Sequence, residues 1–351
     1  MSEEEPRTLV VGLGGIGGIV TAHLLEQEQN ITPLTTNPGI AEAIEKNGYE
    51  IHEDGESRTV RGKVVRALPE DTEPFDFILL ATQPPQVEAA ASSVAKHLAP
   101  GGLMVCFQNG LCEDRVAPIV GKDRVIGGII AWGASMLGPG RYERTSSGGF
   151  TIGRLDGGYD ARLERLAILL ESIGPVEITD NLLGARYSKL AINCAISSLG
   201  AIGGDRLGAL LAHRFVRRLA LEIMTEVVEV AKKEGVRLEK VSGTLDLDWI
   251  ALTPVERKQT ASAALVSKHG LLLAVGARYR RLRSSMLSAL ERGRPPAVDF
   301  LNGEVVTRSL KHGLSAPINE AVRQKVHAIA RGEARSSLET LRSVYDETRG
   351  A

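Results

Sequence analysis

The stretch Thr8-Leu-Val-Val-Gly-Leu-Gly-Gly-Ile-Gly17 decides the fold of this chain. It opens with a short run of apolar and β-branched residues, which is typical of a buried strand. Glycines at positions 12, 14 and 17 interrupt that run, and residues 18–29 then have the composition of an apolar helix. A strand, a glycine turn and a helix in this order predict the first strand-helix unit of a parallel sheet.

The spacing of these glycines matches the turn that holds a dinucleotide. Gly12 permits the tight turn, Gly14 lets a pyrophosphate approach the backbone, and Gly17 allows the helix to pack closely on the strand. The N-terminus of the helix then faces the phosphates. The predicted cofactor-binding turn comprises Gly12, Leu13, Gly14, Gly15, Ile16 and Gly17.

Further apolar runs continue the sheet pattern, with a helical stretch near residues 86–98 between two of them. The predicted strands are residues 31–36, 75–81, 101–107, 124–132 and 149–153. After Asn181 the apolar residues recur at intervals of three and four, which is typical of helices. This spacing is seen in residues 207–233 and in residues 301–332, with an interruption at 313–317. We therefore predict an α/β chain, with a doubly wound Rossmann domain over residues 1–178 and a mostly α-helical domain over residues 179–351.

Composition narrows the function classes. The chain has 351 residues with 43% hydrophobic and 24% charged residues and a formal net charge of -1, which does not favour nucleic-acid binding. Its acidic N-terminus and the lack of a long apolar run predict a cytoplasmic protein outside the membrane. Cys106, Cys112 and Cys194 form no CxxC pair and the histidines are scattered, so we expect no metal site.

The end of the second predicted strand bears on which dinucleotide binds. NAD enzymes usually place an acidic residue there, whereas this chain has Thr35-Thr36-Asn37. An acidic residue at this position would repel a 2′-phosphate. Its absence therefore favours NADP(H), with Thr36 and Asn37 as neutral hydrogen-bond donors. No arginine stands in this turn to pair with the phosphate.

Lys189-Leu-Ala-Ile-Asn-Cys-Ala-Ile-Ser197 is the strongest candidate for a catalytic segment. Spacings of four place Lys189, Asn193 and Ser197 on one face of a helix that is otherwise apolar. An ammonium group beside a carbonyl that receives a hydride can stabilise the developing negative charge and donate a proton. Lys189 suits this role, and Asn193 is placed to hold the substrate oxygen or the lysine.

Together, four separated signatures resemble the ketopantoate reductases (2-dehydropantoate 2-reductases) over nearly the whole chain. They are residues 12–17, Gln108-Asn109-Gly110, Lys189 to Cys194, and Ser284-Ser285-Met286 followed by Asp299-Phe-Leu-Asn-Gly303. The resemblance implies that Lys189 is the general acid, that Asn193 contacts the substrate, that Asn109 lies near nicotinamide and substrate, and that Ser285 binds the substrate carboxylate. It also implies reduction of a 2-oxo acid by NADPH.

The chain departs from the family pattern at several positions. Ala297 stands where the family has a glutamate, and Thr36 stands where it has an arginine for the cofactor phosphate. Gln83 stands where the family has a lysine after the strand that ends near residue 82. Ser197 and Leu282 replace two substrate-contacting asparagines. The expected substrate is therefore ketopantoate or a related 2-oxo acid. Alternatively, Asp299 replaces the missing glutamate, although an N-cap at the start of a helix is its simpler interpretation.

A basic run precedes the serine pair. Arg278, Arg281 and Ser285 have helical spacings, so Arg281 is a candidate for binding a second anionic group of the substrate, against the alternative of a solvated basic face. Two other functions remain open: an imine or opine-forming reductase, and an NADP(H) sensor without catalysis. A homodimer through an apolar helical face is a further expectation.

Overall fold

The computed structural model describes residues 5–240 and 245–349 of the chain. Residues 1–4, which belong to the acidic N-terminus that predicts a cytoplasmic protein, lie outside the described residues. The chain divides into two compact units: residues 1–108 with 112–182, and residues 109–111 with 183–351. The second unit thus contains three residues from the middle of the sheet-forming half.

The strands of the first unit are short and mostly apolar. In chain order they are β1 (Thr8–Val11), β2 (Ile31–Leu34), β3 (Tyr49–Glu53), β4 (Glu56–Val60), β5 (Phe75–Leu80), β6 (Leu98–Cys106), β7 (Val125–Ile130), β8 (Ala134–Gly138), β9 (Arg141–Arg144), β10 (Phe150–Arg154) and β11 (Val176–Ile178).

Seven of these strands form one sheet in the order β11-β10-β7-β6-β5-β1-β2. The pairs from β2 to β7 are parallel, whereas β10 runs antiparallel to β7. Strand order reverses at β1, because β2 lies on one side of it and β5 on the other. Since ligands bind at such a switch point, the turn after β1 lies where a dinucleotide is expected. The predicted Rossmann sheet is confirmed.

A second sheet of four strands, in the order β4-β3-β9-β8, was not predicted. Its strands carry charged residues such as Glu53, Arg58 and Arg144. These residues interrupt the apolar runs from which the other strands were predicted. Tyr142 of β9 donates its hydroxyl hydrogen to the Leu13 carbonyl at 3.1 Å. The small sheet therefore helps to hold the glycine turn in place through this hydrogen bond.

Helices of the first unit connect the strands. They are α1 (Gly15–Glu26), α2 (Pro38–Asn47), α3 (Val87–Val94), α4 (Glu113–Val120) and α5 (Ala161–Glu171). Helix α1 begins at Gly15, three residues before the predicted start, because two of the motif glycines belong to its first turn. It is buried along much of its length, in a core shared with both sheets.

The second unit consists of helices, and the residues described after 181 include no extended strand, as predicted. They are α6 (Leu182–Gly203), α7 (Leu207–Leu211), α8 (Arg214–Lys233), α9 (Leu247–Ile250), α10 (Pro254–Lys258), α11 (Ala263–Arg278), α12 (Ser285–Glu291), α13 (Asn302–Lys311), α14 (Pro317–Ala330) and α15 (Leu338–Glu347). The predicted interruption between α13 and α14 is present.

Helix α6 is held in place by buried polar groups as well as by apolar packing. The amide nitrogen of Asn302 donates to the Cys194 carbonyl at 3.3 Å and to the Asn319 side-chain oxygen at 2.8 Å. Asn319 in turn donates to the Glu226 carboxylate at 2.6 Å. The network links α6, α8, α13 and α14, so it fixes the helix that carries the candidate lysine.

No described helix is both long and apolar enough to cross a membrane. Over the same part of the chain, no group of three or more His, Cys, Asp or Glu side chains is placed to hold a metal ion.

Candidate functional site

The glycine turn after β1 is packed so closely that side chains are excluded from several of its positions, among them Gly12 and Gly17. Gly12 has φ of +94°, and a Cβ on it would lie 2.8 Å from the Thr82 methyl group. A Cβ on Gly17 would lie 1.8 Å from the Gly12 carbonyl oxygen. These glycines are therefore required by the contact of α1 with the ends of β1 and β5.

Gly14 differs from its neighbours because a Cβ on it would meet no atom within 4 Å. It is the N-cap of α1, it lies in an extended conformation, and no side chain caps the helix. The first turn also carries no acidic residue. The open space and the uncapped N–H groups fit a pyrophosphate, since a helix N-terminus attracts anions.

The end of β2 is neutral, as the sequence predicts. Thr35 is buried and its hydroxyl accepts from the Asn37 backbone N–H at 3.3 Å. The Asn37 side-chain oxygen accepts from the Ile40 N–H at 3.2 Å and thereby caps α2. Thr36 is exposed. The cap uses the amide oxygen of Asn37 as acceptor and does not involve its amide nitrogen, which is the side-chain donor that a cofactor phosphate would need.

Gln83 and Gln108 lie at the ends of the two strands that follow β1 in the sheet. Gln83 is exposed and precedes a short 3-10 helix, Pro84–Gln86. Gln108 is buried, and its side-chain nitrogen donates to the Leu80 and Thr82 carbonyls at 3.0 and 3.1 Å. Gln108 therefore joins the ends of β5 and β6, a structural role for the first residue of the Gln-Asn-Gly signature.

In the second unit, Lys189, Asn193 and Ser197 lie on α6, as predicted. All three are half-buried. Most of the other residues of α6, such as Leu190 and Cys194, are buried. The side-chain nitrogen of Asn193 is buried and has no hydrogen-bond partner within the described residues. Because an unpaired buried donor is costly, this atom is a candidate for binding a ligand acceptor.

Asn109 belongs to the same unit as Lys189, although the two residues are far apart in sequence. The next residue, Gly110, has φ of +94°, and a Cβ on it would lie 2.5 Å from the Phe300 carbonyl oxygen. Leu111 packs in the core of the helical unit. The Asn-Gly turn is therefore fixed against the segment that precedes α13.

The two serines of the Ser-Ser-Met signature have different roles. Ser284 is buried: its hydroxyl donates to the Ser197 carbonyl at 2.7 Å and accepts from the Leu287 N–H as the N-cap of α12. A Cβ on Gly200 would lie 2.4 Å from the Ser284 Cβ, which shows how closely this turn meets α6. Ser285 is exposed and follows Ser284 directly, so it lies beside the Ser197 end of the polar face.

The predicted helical face of Arg278, Arg281 and Ser285 is not present. Helix α11 ends at Arg278 and α12 begins at Ser285, with a turn between them in which the Leu282 N–H donates to the Tyr279 carbonyl. Helical spacing therefore does not apply across this segment. Arg281 and Leu282 are exposed on the turn.

The interpretation of Asp299 as a helix N-cap is wrong. Asp299 lies in a 3-10 helix, Ala297–Phe300, and the residue before α13 is Leu301, which makes no capping hydrogen bond. The Asp299 carboxylate accepts from Arg323 at 2.6 Å and from His327 at 3.0 Å. Burial opposes ionisation, but these two hydrogen bonds hold the pKa of Asp299 below its usual value. The Asp299 carboxylate is thus engaged by Arg323 and His327, which makes it a poor replacement for the family's glutamate.

Sequence reasoning missed three buried polar residues that support α6. Glu226 accepts from the Ile318 and Asn319 backbone N–H groups at 2.9 and 2.8 Å, and burial raises its pKa. Asn302 and Asn319 complete the network. The Asn-Gly part of the last signature hinted at Asn302, but its partners come from helices distant in sequence.

Comparison with known proteins gives two matches to family descriptions. The family described as ketopantoate reductase PanE/ApbA matches residues 8–157, and the ketopantoate reductase PanE/ApbA C-terminal family matches residues 181–330. The chain is also similar to a 2-dehydropantoate 2-reductase from Pyrococcus horikoshii, with 27% identity over 88% of this chain and 93% of the relative.

Solved structures share the fold. A PanE/ApbA family ketopantoate reductase from Ralstonia eutropha has a TM-score of 0.75 at 23% identity, covering 93% of this chain and 99% of that chain. A D-mandelate dehydrogenase with NADH and anilino(oxo)acetate has a TM-score of 0.78 at 19% identity, covering 93% and 98% of the two chains.

Proposed function

Because the chain belongs to the ketopantoate reductase PanE/ApbA family, we propose that it uses NADPH to reduce the carbonyl of a 2-oxo acid to a hydroxyl group. Ketopantoate or a related 2-oxo acid is the substrate. The observation that carries this proposal is the row of Lys189, Asn193 and Ser197 on one half-buried face of α6.

The residues of the glycine turn would hold the cofactor. Gly14 leaves the backbone accessible, and the N–H groups that open α1 have no side-chain cap. When bound, NADPH supplies the hydride for the carbonyl carbon. The neutral turn at Thr36 and Asn37 accommodates a 2′-phosphate without the repulsion that an acidic residue would cause.

On the substrate side, the protein supplies a proton and orientation. In the proposed reaction, Lys189 stabilises the negative charge that develops on the carbonyl oxygen and donates a proton to it, leaving a neutral amine that is reprotonated from solvent. The Asn193 side-chain nitrogen gains the acceptor it lacks, and the Ser285 hydroxyl binds the carboxylate. Ala297 leaves the site without the family's glutamate, so Lys189 bears the proton transfer alone.

The test is NADPH oxidation with a panel of 2-oxo acids that includes ketopantoate, each with and without ammonia or simple amines. We expect turnover without an amine. Turnover that requires an amine would establish an imine reductase instead, and tight NADPH binding with no turnover would establish a sensor.

Lys189→Ala tests the assigned proton donor. We expect kcat to fall by roughly 10²- to 10⁴-fold while NADPH binding is unchanged, since general acid catalysis contributes about that much. Lys189→Arg keeps the charge but donates a proton poorly, so it should recover little activity. Lys311→Ala, which removes an exposed lysine of α13, is the control. Full activity of Lys189→Ala would contradict the assignment.

A further inference from the structure

Residues 62–66 form an edge segment that runs beside β2 without being part of the regular sheet. The Val65 N–H donates to the Pro33 carbonyl at 2.9 Å, and the Val65 carbonyl accepts from the Thr35 N–H at 3.0 Å. Leu34 and Val65 form a parallel bridge. The segment therefore extends alongside the end of β2 in the same direction.

The edge segment is anchored along its length. A Cβ on Gly62 would lie 2.4 Å from the Leu25 side chain, so this glycine lets the chain approach α1 closely. The Tyr49 hydroxyl donates to the Lys63 carbonyl at 3.2 Å, and Val64 packs against the core of the first unit. The position of the next residues is thus set by packing and hydrogen bonds.

Arg66 is placed by this register at the end of β2. The peptide that joins Val65 to Arg66 is the one whose carbonyl binds the Thr35 N–H, and paired strands lie roughly 4.8 Å apart. Arg66 is exposed, and across residues 5–240 and 245–349 it makes no hydrogen bond or ion pair. The backbone of Arg66 therefore lies next to that of Thr35, and its guanidinium group is exposed and uncommitted.

The turn after β2 is where dinucleotide-binding sheets contact the ribose of the adenosine half, and an arginine nearby accommodates the 2′-phosphate. The turn of this chain offers only neutral groups. We propose that Arg66, on the neighbouring edge segment, supplies the positive charge that binds the 2′-phosphate and selects NADPH over NADH. This inference rests on the proposed use of NADPH, and it assigns that selectivity to a residue about thirty positions beyond β2.

The residue just before the edge segment provides a matched control. Arg61 is also exposed, but its guanidinium donates to the Lys46 carbonyl at 3.2 Å, in the last turn of α2. Arg66 lies at the opposite end of that helix, near its N-cap. Arg61→Ala therefore removes the same charge from a position next to the edge segment but away from the proposed phosphate.

The experiment measures dissociation constants of NADPH and NADH by cofactor fluorescence for the full chain, together with displacement by 2′,5′-ADP and by 5′-AMP. For Arg66→Ala we expect NADPH and 2′,5′-ADP to bind roughly tenfold to a hundredfold more weakly, because a charged hydrogen-bonding partner is lost. NADH and 5′-AMP should bind as before. Arg61→Ala should change none of the four constants, and thermal unfolding checks that each variant is folded.

A second variant tests the position. Adding Thr36→Arg to Arg66→Ala returns a guanidinium to the turn itself and should restore part of the NADPH affinity. If Arg66→Ala keeps the wild-type preference for 2′,5′-ADP, the assignment of Arg66 is overturned while NADPH use stands. If the wild-type chain binds 2′,5′-ADP and 5′-AMP equally, both the NADPH preference and the role of Arg66 are overturned.

Discussion

The glycine turn before α1 and the polar face of α6 present their chemistry in opposite ways. The turn offers backbone N–H groups, and Gly12 and Gly17 leave no room for side chains, since a Cβ on Gly17 would lie 1.8 Å from the Gly12 oxygen. Helix α6 offers the side chains of Lys189, Asn193 and Ser197 on a buried scaffold. The glycine turn can present its backbone N–H groups because its glycines have no side chains. The face of α6 depends instead on the polar side chains that it carries.

This difference fits the departures from the family pattern that the sequence leads us to expect, since they fall outside the glycine turn. A backbone site can change little, because any side chain at Gly12 or Gly17 would collide with neighbouring atoms. A site made of side chains can be altered one residue at a time while the fold persists. The residues expected to differ from the family are exposed or half-buried, and none lies in the core: Thr36, Gln83, Ser197, Leu282 and Ala297.

The largest effect is expected in the glycine turn. Gly17→Ala should destabilise the protein by about 3 kcal/mol, because the new methyl group overlaps the Gly12 carbonyl and α1 must move away from the sheet. Gly14→Ala should leave stability within about 1 kcal/mol of wild type, since open space surrounds that position. It should nevertheless weaken NADPH binding by about tenfold or more by filling the space for the pyrophosphate.

Urea unfolding and cofactor fluorescence measure both effects. Equal losses of stability in Gly14→Ala and Gly17→Ala would break the distinction between a ligand-facing glycine and a packing glycine.

An intermediate effect is expected on α6, where two asparagines can be compared. Asn193→Ala should lower kcat/KM by roughly tenfold to a hundredfold and leave stability unchanged or slightly higher, because its buried side-chain nitrogen has no partner within the described residues. Asn319→Ala should instead lower stability by about 2 kcal/mol, because it breaks hydrogen bonds to Glu226 and Asn302.

Steady-state kinetics and urea unfolding of the two variants separate these roles. A large loss of stability in Asn193→Ala, with substrate affinity retained, would show that Asn193 supports the helix and does not bind substrate.

The smallest effect concerns acid stability of the helical unit. Burial, together with the positive charges of Arg217, Arg214 and Arg218, lowers the pKa of His269 to about 4. As pH falls below about 6.5, His269 becomes protonated in the unfolded chain but stays neutral in the folded protein. The free energy of unfolding therefore declines until pH reaches about 4, where the folded protein also binds the proton. The full difference between these two pKa values corresponds to about 3 kcal/mol, and because solvent screens the guanidinium charges we expect a loss of about 1–2 kcal/mol.

Urea midpoints measured across that pH range should fall in the wild type and fall less in His269→Gln. Identical slopes for the two proteins would remove His269 as the cause.

Parts of the fold were predictable because their signals are local. The strands of the main sheet are apolar runs, and α6 shows its spacing of four directly in the sequence. The small sheet was missed because β3 and β9 carry charged residues whose ion pairs, such as Arg144 with Glu53, form only across strands. The break after Arg278 was missed because nothing local marks it: the turn is fixed by contacts with Gly200 and Gly208.

By itself, the sequence determined the family, the sheet-then-helix order, the glycine turn and the polar row on α6, since each depends on residues close together along the chain. Tertiary structure alone decided that Asp299 is paired with Arg323 and that Glu226 and Asn319 brace α6. It also decided that Arg66 lies beside Thr35. These relations join residues separated by more than twenty positions, and only the packing of the elements between them brings such residues together.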